Sequence, residues 1–292
     1  MGIRLYSMIK KLRYYWSFTK PGISRAQILT VSIGYFLATQ AIHITPIYGY
    51  LVVSTYLFSA AACGLNNILE VNFDRAMKRT QQRELVVQCM TKKEAWAVVM
   101  VTFVVASVLS LKINVLTFWI SILTVGIYVG IYTPLKRVSW MNTYVGALPG
   151  ALPLIGGWCA AGTPIHMAVI ALFLALYCWQ IPHFYALAIV YLDDYRAAGF
   201  KMLPLAIGGI PATKRQMVIF SVLMVIVSMY PVLAGFLGTV YWIGTVASGG
   251  IFLYYVSVSV GQLERHARKV FIISILYLPL WFLIIVADII LK

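Results

Sequence analysis

The chain has 292 residues, 62% of them hydrophobic and only 11% charged. Soluble globular domains carry roughly 25% charged residues, so a water-soluble fold is excluded, and apolar runs of membrane-spanning length recur from end to end. The net charge of +15 would suggest nucleic acid in a soluble protein. Here the basic residues lie between apolar runs, which assigns them to topology and lipid headgroups and leaves no nucleic-acid partner.

The apolar runs are continuous rather than alternating, which argues for helices and against a β-barrel. Residues 1–25 are basic and lack an apolar core with a cleavage site, so they read as a cytoplasmic tail. Met1-Gly2 opens the chain, but Tyr6 breaks the myristoylation pattern. Nine spans are predicted, over 26–42, 47–69, 95–111, 115–131, 144–161, 167–192, 217–237, 241–260 and 270–291. The turns joining the third to the fourth and the seventh to the eighth are short, which predicts antiparallel hairpins. Residues 26–292 form one membrane domain without a linker or low-complexity segment.

Of the 23 Lys and Arg residues, all but Lys112 and Lys292 fall in the tail or in alternate loops. The positive-inside rule then places the N-terminus and every long loop in the cytoplasm. Cys63, Cys89, Cys159 and Cys178 form no C-x-x-C pair, so neither a disulfide framework nor a zinc site is expected.

Chemistry concentrates where the second span ends. On a helix, Asn66, Glu70 and Asp74 recur every four residues and share one face, and Arg75, Arg79 and Arg83 form a second ladder of the same spacing. A carboxylate at bilayer depth costs roughly 2.5–3.5 kcal/mol, so it is normally paired or functional. Two readings stand. Glu70 and Asp74 either pair with Arg75 and Arg79 at a helix end, or join Asn66 in offering oxygens to Mg2+, which takes one or two carboxylates and completes its shell with substrate phosphates. The arginines would then give forked donors to those phosphates.

Asp193-Asp194-Tyr195-Arg196, ahead of Gly199-Phe200-Lys201, is a second set of acids at a helix end, where the dipole disfavours them. Two such ends facing each other can hold a diphosphate between two metal ions. Tyr132 and Lys136, in Tyr132-Thr133-Pro134-Leu135-Lys136-Arg137, lie in a loop that can reach a phosphate. Tyr132 reads equally as an interfacial anchor. In the sixth span Pro182 should kink the helix, and His183 is either a satisfied bundle histidine or a ligand contact. The Gly- and Pro-rich stretch 142–158 serves close helix packing or a substrate groove.

Together these motifs resemble the UbiA-type intramembrane prenyltransferases, and within them the protohaem IX farnesyltransferase branch. The resemblance rests on Asn66-Asn67-x-x-Glu70-x-x-x-Asp74-Arg75-x-Met77-x-Arg79-Thr80-x-x-Arg83, Tyr132-Thr133-x-x-Lys136-Arg137, Trp179-Gln180-x-Pro182-His183, Asp194-Tyr195 and Met202-Leu203-Pro204. It runs from about Lys20, whose Lys20-Pro21 also fits, through the last span. The chain departs from the pattern at Glu70, where the family usually has Asp, and in having no D-x-x-x-D at the second site.

The resemblance implies an all-α, polytopic bundle of nine transmembrane helices around a central cavity open to the cytoplasmic side of a bacterial inner membrane. It implies transfer of a farnesyl group from farnesyl diphosphate to a vinyl group of haem b, giving haem O, with Mg2+ assisting departure of diphosphate. The implied metal set is Asn66, Glu70, Asp74, Asp193 and Asp194, and Tyr132 and Lys136 join the catalytic group with Asn66, Glu70, Asp74 and Asp194. Arg75, Arg79, Arg83, Lys136 and Lys201 would hold the diphosphate, and His183 and Trp179 the haem. A haem A synthase or terminal oxidase would receive the product, and membrane lipids surround the protein. A fifteen-carbon prenyl chain gains up to ~12 kcal/mol from apolar burial at ~0.8 per carbon, which suits a site inside the bilayer. The other readings are an aromatic-acceptor polyprenyltransferase of quinone biosynthesis and a transporter of an anionic lipid or metabolite, whose site would lie near the midplane.

Overall fold

The computed structural model describes residues 11–292. Arg4, Lys10 and the myristoylation pattern lie outside them. Residues 11–18 are helical, and Phe18 is buried against Ala61 and Val99, so this end of the tail packs onto the membrane helices.

Among the described residues nine long helices follow: α1 Pro21–Thr39, α2 Pro46–Asp74, α3 Lys92–Leu111, α4 Val115–Leu135, α5 Asn142–Ala160, α6 Met167–Val190, then, after the short α7 Leu192–Ala197, α8 Gly209–Leu233, α9 Thr239–Ser259 and α10 Leu263–Leu291. There is no strand among the described residues. Seven of the nine are long and apolar enough to cross a membrane. The other two, α1 and α5, match the first and fifth predicted spans, but α1 carries Arg25 and Gln27, and α5 is rich in Gly and Pro. Several helices run further than the apolar pattern did. α2 continues five residues past 69, and α10 begins at Leu263 rather than 270, because a helix keeps its hydrogen bonds into the polar turns that hydropathy cannot mark. α6 runs through Pro182 without a break.

The bundle closes on itself, since α1 packs against α2, α5 and α10, and α6 against α5, α8 and α10. The short turns after α3 and α8 join packed neighbours, as expected of hairpins. Gly34 and Gly157 let α1 and α5 touch backbone to backbone: a Cβ at Gly34 would overlap Leu154 O, and one at Gly157 would overlap Val31 O. Trp119, Ile226 and Leu276 are exposed on the outside of the bundle, where lipid would cover them.

Polar groups sort by end. At one end Asp288 accepts hydrogen bonds from the backbone N–H groups of Gly238 at 2.6 Å and Tyr241 at 2.9 Å, satisfying the start of α9. Lys292 Nζ donates to Gly235 O at 2.8 Å there, and Lys112 sits over the Tyr50 ring. The two basic residues assigned to the far side therefore lie away from the end where α2 delivers Asp74.

Candidate active site

A cavity of about 660 Å3 reaches the α2 C-terminal end. Asn66, Glu70 and Asp74 line it from the last turns of α2, only 2%, 3% and 1% exposed. Each is matched to a base from a different part of the chain. Lys20 Nζ donates to Asn66 Oδ1 at 3.0 Å. Lys136 forms a buried ion pair with Glu70. Arg83 Nη1 donates to both Asp74 oxygens, at 2.7 and 2.6 Å. The expected partners of the helix-end reading, Arg75 and Arg79, are not the ones used. Desolvation pushes the Lys20 ammonium down to about 8. Burial lowers Lys136 as well, against the opposing pull of Glu70.

The arginine ladder is not helical. α2 stops at Asp74, and the chain turns. The N–H groups of Lys78 and Arg79, which a continuing helix would send to the carbonyls of residues 74 and 75, donate instead to Asp194 Oδ1 and Oδ2 at 3.0 Å each. Thr80 Oγ1 donates to Asp74 O at 3.0 Å. Met77 is drawn into a cluster with Tyr195, Phe200 and Met202. This turn aims Arg79 and Arg83 into the cavity and leaves Arg75 exposed outside it.

The second acidic set differs from expectation. Asp194 does not line the cavity: both its oxygens are taken by backbone amides, so it anchors the arginine loop. Asp193 has its side chain 93% exposed and accepts from Arg196 Nη1 at 2.6 Å on the surface. The two acidic helix ends therefore do not face each other across a common space. Lys201 contributes its backbone rather than its ammonium: its N–H donates to Lys136 O at 2.7 Å, and its carbonyl accepts from Asn142 Nδ2 at 2.7 Å, which pins the loop carrying Lys136.

Lys136 Nζ lies between the rings of Tyr132 and Phe200, 5.0 Å from each centroid. Tyr132 closes a π-helical turn, Ile127–Tyr132, in α4. Thr133 Oγ1 donates to Tyr128 O at 2.9 Å and accepts from Asn66 Nδ2 at 3.2 Å, tying this turn to α2. Single π turns recur at functional sites because they rotate side chains out of helical register. Gly146 leaves room for the Tyr132 ring, and Gly150 leaves room for the side chain of Gln180. The Gly- and Pro-rich stretch thus serves both readings: Gly157 packs, while Gly146, Pro149, Gly150 and Pro153 line the cavity.

Further along the cavity α6 supplies Trp179 and His183, and α10 supplies Phe271. His183 stacks on Trp179 at 5.1 Å, and its Nδ1 lies 2.7 Å from Ser274 Oγ. Tyr195, Phe200, Lys20 and Ser274 are site residues that composition and spacing did not single out for a role. Lys20 and Tyr195 carried a signal only through the resemblance, in Lys20-Pro21 and Asp194-Tyr195.

The donors on α2 fit a magnesium ion shared with a phosphate ligand. Two carboxylates and an amide oxygen on one helix face are hard oxygen donors, and each is now held by a protein cation. Among the described residues no group of three or more His, Cys, Asp or Glu can hold a metal. The chain alone therefore gives an incomplete shell, which phosphate oxygens and water can complete.

Residues 28–285 match the UbiA prenyltransferase family. A protein named protoheme IX farnesyltransferase from Solibacter usitatus is 34% identical over 288 residues, covering 95% of this chain and 99% of its own. Among solved structures, a digeranylgeranylglyceryl phosphate synthase superposes with a TM-score of 0.81 at 18% identity, covering 97% of this chain and 100% of its own. A UbiA homolog from Archaeoglobus fulgidus bound to GPP and Mg2+ does so with a TM-score of 0.67 at 16% identity, covering 93% and 99%. These likenesses bear out the resemblance read from the motifs and the multi-pass membrane fold.

Proposed function

The chain belongs to the UbiA prenyltransferase family, and on that footing we propose that it transfers a farnesyl group from farnesyl diphosphate to a vinyl group of haem b. The observation that carries this reading is the division of one cavity. Its mouth gathers Asn66, Glu70 and Asp74 with Lys20, Arg79, Arg83 and Lys136, and its interior is walled by apolar and aromatic side chains that include Trp179, His183 and Phe271. Charge clustered at one face, rather than at the midplane, favours a lipid diphosphate over a transported solute. The farnesyltransferase name of the 34% identical relative supports the acceptor and donor.

Bound Mg2+ would supply charge neutralisation of the leaving diphosphate, held by Glu70 and Asp74 with Asn66. The cations now on those oxygens become free to turn to phosphate oxygens: Lys20, Lys136 and Arg83 join Arg79 as donors aimed where negative charge grows. The farnesyl C1–O bond breaks with its electron pair leaving on diphosphate. The terminal vinyl carbon bonds to C1, water adds at the neighbouring carbon, and one proton is lost. The apolar walls keep water from C1 until that bond has formed. Asp193, Arg75 and the Lys201 ammonium have no part in this account, and Asp194 acts through the loop it holds. The positive residues around the mouth support a cytoplasmic opening in the bacterial inner membrane, with residues 26–292 acting as one catalytic unit and the product passing to a haem A synthase or terminal oxidase.

Purified protein incubated with haem b, farnesyl diphosphate and Mg2+ should yield a porphyrin heavier by one farnesyl group and one hydroxyl group, read by mass spectrometry. Prenylated 4-hydroxybenzoate without prenylated haem would assign the chain to quinone biosynthesis. No product with either acceptor would support a transporter.

A further inference from the structure

His183 has one edge committed and one edge open. Trp179 and Phe271 both stack on its ring, each at 5.1 Å between centroids. Its chemistry is therefore offered at the ring edge. Nδ1 lies 2.7 Å from Ser274 Oγ. A serine hydroxyl has one proton, and Ser274 donates it to Phe271 O at 2.6 Å. Ser274 is fully buried, so its oxygen can only accept from His183. In the uncharged ring Nδ1 thus carries the hydrogen and Nε2 carries the lone pair. No bond to Nε2 is formed among the described residues, and His183 lines the cavity.

We infer that His183 Nε2 is an axial ligand to the iron of the haem acceptor, and that Ser274 is a positioning residue that sets its tautomer. This rests on the haem reading proposed above. A ring nitrogen hydrogen held by a fixed acceptor is the arrangement that orients metal-bound histidines and raises the basicity of the ligating nitrogen. A proton-accepting role fits less well. It would create an imidazolium in an aromatic wall, and the cavity carboxylates Glu70 and Asp74 are already matched to Lys136 and Arg83. Donation to a metal creates no such charge. Ligation also fixes the height of the macrocycle in the cavity, so that a vinyl group can be presented in one register.

The test uses the full chain in detergent with haem b. Wild-type protein should co-elute with haem and give the visible and EPR spectra of nitrogen-ligated iron. The ferrous complex should show an iron–nitrogen stretch in resonance Raman that shifts when histidine is labelled with 15N, a readout that needs no variant. His183→Ala should retain haem with an altered spectrum that free imidazole restores. Ser274→Ala should keep a histidine-ligated spectrum but shift the iron–nitrogen frequency, and Ser274→Thr should return it. Bound haem without a 15N-sensitive iron mode, or with the wild-type spectrum in His183→Ala, would overturn the inference and leave the farnesyl transfer intact. Wild-type protein that does not associate with haem would overturn both.

Discussion

Asp74 ends α2, and Arg83 returns from the loop to neutralise it. A carboxylate this buried is tolerated because it is paired, and removing its charge leaves Arg83 without its partner. Asp74→Asn keeps size and shape, so the protein should insert in normal yield while turnover falls by ~100-fold or more, the scale expected when one charge-stabilising group is lost. Near-normal turnover would remove Asp74 from the metal site. Asp194 makes the contrasting case. Its two backbone hydrogen bonds hold the loop that presents Arg79 and Arg83. Asp194→Asn should leave one of them unmade at about 1–3 kcal/mol, weakening farnesyl diphosphate binding by roughly tenfold, readable by calorimetry. Sequence spacing could find the α2 acids because they sit on one face of one helix. It could not find the role of Asp194, whose partners are backbone amides 116 and 115 residues away and leave no side-chain signature. Ser274 was hidden for a similar reason: its meaning lies in where its single proton goes.

At the scale of elements, hydropathy located the core of each long helix but missed the polar turns that carry the chemistry. Glu70 and Asp74 belong to α2, and Lys136 follows α4 directly, yet the apolar runs ended short of all three. The π turn at Ile127–Tyr132 has no periodic signal, because one inserted residue changes register without changing composition. Close packing of α1 on α5 depends on glycine. Gly157→Ala would press a methyl into the Val31 backbone and should cost about 1–3 kcal/mol in detergent stability, measured by thermal unfolding. Gly250→Ala meets nothing within 4 Å, so it should be neutral or stabilising by up to ~1 kcal/mol. Equal effects at both positions would contradict the backbone contact.

For the whole molecule, the proposed orientation rests on the loop charges. Lys112 and Lys292 sit at the end away from the mouth, and the mouth gathers the basic loops. Cys89 is the exposed cysteine, on the loop after α2, while Cys63, Cys159 and Cys178 are buried. A membrane-impermeant maleimide should therefore label inverted vesicles and spare spheroplasts. Labelling of intact spheroplasts would reverse the topology. The family and the helical bundle were legible because motif and topology agreed. The expected pair of facing acidic ends was not, because a second acidic motif can serve a loop as readily as a metal.

The most direct measurement is farnesyl diphosphate affinity with and without Mg2+ for wild type, Asp74→Asn and Asp194→Asn in parallel. A clamp held from α2 alone predicts Mg2+-strengthened binding in wild type, its loss in Asp74→Asn, and weaker binding with the Mg2+ dependence kept in Asp194→Asn. Loss of the Mg2+ dependence in Asp194→Asn would contradict it and place the metal between the two acidic sites.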